Sequence, residues 1–129
     1  MLNYTWSKDY SVHNPVLDDH HKNLLKLFND AYDLIISQAP MENTIKLLSE
    51  LKVYSIFHFN EEEKLMRAAN YPDYEEHVME HKKFIDDVTK FKKAISEQTA
   101  ELNEEIFLFL SDWLIHHIQK TDRKYMDYL

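Results

Sequence analysis

The chain contains no glycine, and its three prolines fall at Pro15, Pro40 and Pro72. With so few residues that break or turn a backbone, the stretches between the prolines are long and uninterrupted, which is the pattern of helices. From Asp18 to Ser37, Leu24, Leu27, Phe28, Ala31, Leu34 and Ile35 recur at helical spacing, and Asp18 is placed to cap the first turn. From Met41 to Ala69 the stripe is Leu47, Leu51, Tyr54, His58, Glu62 and Leu65, and Asn70 is suited to a left-handed stop. After Pro72 the stripe runs Tyr74, His77, Val78, His81, Phe84, Ile85, Val88, Phe91 and Ile95. A polar break over Ser96 to Ala100 precedes Ile106, Leu110, Trp113, Leu114 and His117, continuing toward Asp122.

These periods predict an all-α fold, with helices over 18–37, 41–69, 73–96 and 101–122 behind an N-terminal arm, residues 1–17. Short connections between helices of similar length make an antiparallel up-down four-helix bundle, and 129 residues suffice for one domain, 1–129. The arm, with Trp6, Tyr10 and Pro15, is expected to lie across one end of the bundle.

Histidine and carboxylate occupy positions on the core faces. His58 and Glu62, and likewise His77 and His81, stand four residues apart, so each pair shares one helix face and can reach one point in the core. His117 and Asp122 stand five apart. Five residues advance about 500° on an ideal helix, leaving the side chains roughly 140° apart, so Asp122 must reach around or the helix must loosen there. The first helix offers His20 and His21, one of which would give the ring a member from every helix. A lone buried histidine is more often a hydrogen-bonded core residue than a ligand. Several of them with two carboxylates in one small core would instead cost several kcal/mol per unpaired charge, a cost that cations remove.

Cysteine is absent, which confines any metal chemistry to histidine and carboxylate. Five imidazoles and two carboxylates exceed the needs of one ion and suit two ions sharing both carboxylates. Nitrogen-rich ligation favours iron, zinc or copper over magnesium or calcium. With a bridging solvent oxygen, one ion reaches six ligands and the other five, leaving one position open.

The net charge of -8 argues against nucleic-acid and anionic-membrane partners. Met1 to Tyr10 has neither a basic patch nor an apolar run, and no segment approaches the roughly 18 apolar residues of a membrane span. A soluble cytoplasmic protein is the expectation.

At these residues the chain resembles the hemerythrins, and most closely the stand-alone bacterial ones, along essentially its whole length. Leu17-Asp18-Asp19-His20-His21-Lys22-Asn23-Leu24 is similar to the family's first-helix motif, in which the ligand histidine precedes a lysine and so falls on His21. His58 through Met66 resembles the second motif, His77 through His81 the third, and Trp113 through Asp122 the fourth. Trp6 sits where such proteins carry an arm tryptophan. Two departures stand out: His13 where relatives often have glycine, bearing on the turn of the arm, and Leu25 where phenylalanine is common, bearing on packing near the site.

The resemblance implies two iron ions, one held by His77, His81 and His117 and the other, with the open position, by His21 and His58. Glu62, Asp122 and a solvent-derived oxygen would bridge them. His13, His20 and His116 are read as non-ligands, and Leu24, Phe59, Trp113, Leu114 and Ile118 as an apolar lining for a small ligand. The implied function is reversible dioxygen binding for storage, delivery or scavenging, with no catalytic residue. Two ferrous ions, two carboxylates and a hydroxide bridge sum to roughly +1, and the oxygenated state sums to roughly +1 again, so the core stays electrostatically level. The competing readings are a di-iron oxidase, peroxidase or nitric-oxide-detoxifying enzyme, and an oxygen or redox sensor. The sensor is disfavoured because no output domain follows the fourth helix before Leu129.

Overall fold

The computed structural model of the chain describes residues 4–38, 40–97 and 104–129, with the side chains of Met41, Ile95, Glu104, Glu105 and Ile106 outside that description. The expected core roles of Ile95 and Ile106, and the end of the polar break at Ala100, therefore fall outside the described residues. Among the described residues four α-helices occur, α1 (Pro15–Ile36), α2 (Met41–Ala68), α3 (Tyr74–Ser96) and α4 (Glu104–His116). Each of α1 and α3 packs on both α2 and α4, closing an up-down bundle. None of these helices is long and apolar enough to cross a membrane.

The first helix begins three residues before the expected start, and Asp18 is not its cap. Asn14 takes that place, its side-chain oxygen accepting from the amides of Val16 and Leu17, with Pro15 at the first helical position, where its missing N–H costs nothing. Asp18 instead reaches back to the arm, accepting from Ser11 Oγ at 2.8 Å and from the Val12 amide at 2.8 Å. The arm is further tied to α1 by Asn29, whose amide group exchanges two 2.8 Å hydrogen bonds with the backbone of Tyr4. Trp6 stacks on Tyr10 and lies beneath the Lys22 ammonium.

Three non-glycine residues take left-handed backbone angles, His13 at φ 59°, Gln38 at 53° and Asn70 at 54°. Asn70 ends α2 as expected: its amide bonds to Arg67 O and the next amide, Tyr71, to Met66 O, while Tyr71 and Met66 join the same apolar cluster. His13 makes the arm's left-handed turn at the position where the resemblance suggested glycine. A side-chain Cβ is strained in that region, whereas glycine is not. His13→Gly is expected to stabilise the protein by about 0.5–1 kcal/mol, part of the strain relief being offset by a more flexible unfolded chain. A thermal melt showing a lower midpoint for this variant would contradict that account.

In α2 the inward stripe follows Leu48, Leu51, Ser55, His58, Glu62 and Met66, all buried, and Leu65, expected inside, is exposed at 36%. Four residues from Glu62 return to its face at Met66, while Leu65 falls on the flank. Along the bundle axis the histidine and carboxylate layer lies between two apolar clusters. Leu17, Met66 and Tyr125 belong to one, and Leu24, Phe59, Phe84, Leu114 and Ile118 to the other.

Candidate metal centre

His21 from α1, His58 and Glu62 from α2, and His77 and His81 from α3 all bury within one layer, each 2% exposed or less. His117 and Asp122 join them through a local change of helix type. After α4 the backbone widens into a π-helical turn over His117–Thr121, where the Asp122 amide bonds to His117 O, and then tightens into a 3-10 turn over Asp122–Tyr125. A five-residue hydrogen bond brings positions five apart onto one face, so the loosening that the spacing called for is supplied by the backbone and not by a stretched side chain. The fourth helix therefore ends in three helix types where the sequence suggested one.

The two carboxylates divide the imidazoles. Glu62 presents Oε1 to Nε2 of His77 at 2.7 Å and of His81 at 3.0 Å, and Oε2 to Nε2 of His58 at 3.3 Å. Asp122 presents Oδ1 to Nε2 of His117 at 2.9 Å and of His77 at 3.0 Å, and Oδ2 to Nε2 of His21 at 3.2 Å. Two overlapping sets result, Glu62, His77, His81, His117 and Asp122 in one and His21, His58, Glu62 and Asp122 in the other, and within each set the ligand atoms lie within 4.8 Å of one another.

Several of these atoms lack a hydrogen-bond partner in the protein although buried: His21 Nε2 and both oxygens of Asp122. Asp122 Oδ2 lies 3.2 Å from His21 Nε2 and Oδ1 3.0 Å from His77 Nε2, within ion-pairing distance but without hydrogen-bond geometry. Nε2 of His81 and of His117 also converge to 3.1 Å. Orphaned buried oxygens and converging ring nitrogens are costly in a plain core and are what cations at the shared points would satisfy.

The titration behaviour says the same. Burial would raise the Glu62 carboxyl, but hydrogen bonds from His117, His58, His77 and His81 hold it well below the usual carboxylate range. Asp122 is held far down as well, burial and the neighbouring Glu62 being outweighed by His117 and His21. Burial disfavours a charged His77, yet Asp122 and Glu62 push it up to about 9, and His117 is likewise driven well above its ordinary value. His58 goes the other way, lowered because burial outweighs Glu62. With no ion, protons on imidazole must supply the positive charge the carboxylates need.

Outside this layer the rings are held differently, and His77 Nδ1 is buried without a hydrogen-bond partner. His21 Nδ1 donates to Tyr10 O at 3.0 Å, which ties the arm to the site. His81 Nδ1 faces Glu63 Oε2 at 2.9 Å, and His117 Nδ1 faces Glu80 Oε1 at 3.4 Å, with Thr121 Oγ1 donating to the same oxygen. Tyr125 O–H donates to Glu62 Oε2 at 2.9 Å, and its ring stacks on His77. Phe59 stacks on His81 with centroids 3.9 Å apart, and Trp113, half-buried, on His117 at 4.9 Å. Leu24, Leu114 and Ile118 are fully buried. His13 and His116 are exposed, whereas His20 is buried behind His58 and outside both ligand sets. Sequence reasoning did not single out His20, Glu63, Glu80 or Tyr125 as partners of the site. The neighbourhood of Glu63 to Glu62 and of Glu80 to His81 was the available signal.

An antiparallel bundle enclosing a layer of five imidazoles and two carboxylates defines a metal-site four-helix protein. The hemerythrin HHE cation binding domain family matches residues 13–129, and the chain belongs to that family. It is 29% identical to a bacteriohemerythrin of Clostridium acetobutylicum, covering 96% of this chain and 99% of that protein. It is 32% identical to myohemerythrin-1 of Phascolopsis gouldii, covering 95% and 91% respectively. A solved wild-type hemerythrin superposes with a TM-score of 0.91 at 29% identity, over 98% of this chain and 97% of that one.

Proposed function

We propose that this chain is a non-haem di-iron protein that binds dioxygen reversibly, for storage, delivery or scavenging, and is a carrier and not an enzyme. His77, His81 and His117 would hold one iron and His21 and His58 the other, with Glu62, Asp122 and a solvent-derived oxygen available to both. The observation that carries this reading is the division of each carboxylate, one oxygen turned to each imidazole group. When bound, an iron pair supplies reversible two-electron exchange with dioxygen.

The chain's own residues supply the rest. Three imidazoles sit on one side of the carboxylates and two on the other, so the ion held by His21 and His58 would keep one coordination position for a small molecule. Leu24, Leu114 and Ile118 wall that side with buried apolar surface, and Phe59 and Trp113 cover His81 and His117 beside it, so that water and proton donors are kept away. Outer hydrogen bonds donated by Nδ1 of His21, His81 and His117 to Tyr10 O, Glu63 and Glu80 fix these rings so that Nε2 points inward.

Iron-replete protein should contain about two irons per chain. The reduced protein should gain a visible absorption band on exposure to oxygen and lose it when oxygen is removed, over repeated cycles. One zinc and no iron by elemental analysis would sink the metal assignment. A band that never reverses, with reductant consumed continuously, would replace the carrier with an oxidase.

A further inference from the structure

Of the five inward-facing imidazoles, His58 alone has another histidine at its outer nitrogen. His58 Nδ1 and His20 Nδ1 are 2.9 Å apart, both rings are buried, and they meet edge to face at 85°. The corresponding partners elsewhere are a backbone carbonyl for His21 and carboxylates for His81 and His117, while Nδ1 of His77 is buried without a hydrogen-bond partner. His20 is itself held, its ring packed against Phe57 at 5.1 Å and against the edge of Tyr54 at 6.0 Å.

A single proton can occupy the line between two Nδ1 atoms. A neutral imidazole that gives its Nε2 lone pair to a cation carries its only proton on Nδ1, so His58 must donate there and His20 must accept. His20 then keeps its own proton on Nε2. We propose that His20 is a positioning residue for His58: by accepting from His58 Nδ1 it selects the His58 tautomer whose Nε2 lone pair faces Glu62 and the ion shared with His21. This rests on the ligand role of His58 proposed above. A carboxylate would strengthen the ligand's donation more than a neutral imidazole does, and carboxylates back His81 and His117 but not His58.

The test compares His20→Gln, His20→Phe and His58→Ala in the two-iron protein, under challenge with an excess of a ferrous chelator. Glutamine can accept from His58 Nδ1, whereas phenylalanine fills similar space and cannot. His20→Phe should lose one of its two irons roughly 10–100-fold faster than the parent, with the second iron leaving at the parent rate. His20→Gln should restore most of the difference. In proton spectra of the reduced protein, the solvent-exchangeable His58 Nδ1 proton should persist in His20→Gln and be exchange-broadened or lost in His20→Phe. Unchanged iron release and an unchanged Nδ1 proton in His20→Phe would overturn the positioning role. If His58→Ala itself retains both irons at the parent rate, the ligand reading fails instead, which separates the two claims. A fall in thermal midpoint in His20→Phe and His20→Gln alike, without selective iron loss, would mark His20 as a packing residue and overturn the proposal as well.

Discussion

Replacing His77 with alanine should strip at least one iron from the metal layer and soften the whole fold in a single step. Its Nε2 is the one ring nitrogen within 3.0 Å of both carboxylates, 2.7 Å from Glu62 Oε1 and 3.0 Å from Asp122 Oδ1. The ring is also wedged between Tyr125, stacked on it, and Tyr71 and His117 at its edges. Truncation removes a proposed ligand, opens a cavity under Tyr125 and leaves two buried carboxylates with one cationic partner fewer. Breaking such a buried pairing costs about 3–5 kcal/mol. For a chain of this size that is a fall of roughly 10 °C or more in Tm. Iron per chain should drop to one or fewer in the same preparation. His116→Ala is the control, since His116 is exposed and outside both ligand sets, and it should change neither quantity. If His77→Ala keeps two irons and the parent Tm, the proposed ligand set is wrong. If His116→Ala and His117→Ala exchange their expected behaviours, the register at the end of α4 is wrong.

Leu114→Ala should leave iron in place and shorten the life of the oxygen-loaded protein at least several-fold. Leu114 is fully buried, three residues before His117 and one turn before Ile118, and it clusters with Leu24 and Phe59 from the facing helices. It carries no atom that ligates, so its contribution is bulk and dryness. Removing its isobutyl group costs roughly 2–5 kcal/mol of stability, according to how far the neighbours collapse into the gap. Whatever volume is left lies beside polar atoms, and water can occupy it where it would not occupy an all-apolar void. Water carries protons to a site whose reversibility depends on excluding them. Stopped-flow mixing of reduced protein with oxygen, followed by the slow decay of the visible band at equal iron content, compares the two proteins directly. Equal decay rates would remove Leu114 from the wall that matters.

Whatever repeats within one helix was legible before any fold was known. Helices follow from the lack of glycine and the 3.6-residue stripes, and the pairs His58/Glu62 and His77/His81 could be read as sharing a face because four residues nearly complete a turn. Asn70 was readable as a left-handed stop for the same local reason. Boundary details were less so: both Asn14 and Asp18 are competent caps, and the choice went to Asn14 because Asp18 had backbone and hydroxyl donors in the folded-back arm to satisfy. Leu65 and Met66 are equally apolar, and the packing of α2 against its neighbours decided which turned inward.

By itself, then, the sequence determined an all-α chain whose core faces carry too many histidines and carboxylates to be ordinary core, and it pointed to a strain at Asp122. How that strain is resolved belongs to the tertiary structure. A π-helical turn gives up ideal hydrogen-bond geometry, and contacts with other helices offset that loss, those of Asp122 with His21 and His77 and of Thr121 with Glu80 among them. The outer partners are of the same kind. His20 with His58, Tyr125 with Glu62 and Glu80 with His117 join residues 38, 63 and 37 positions apart. Helical periodicity reports which face a residue occupies, but not which atom of another helix it will meet, because that depends on the rotation and axial offset of two packed helices, which no single segment encodes.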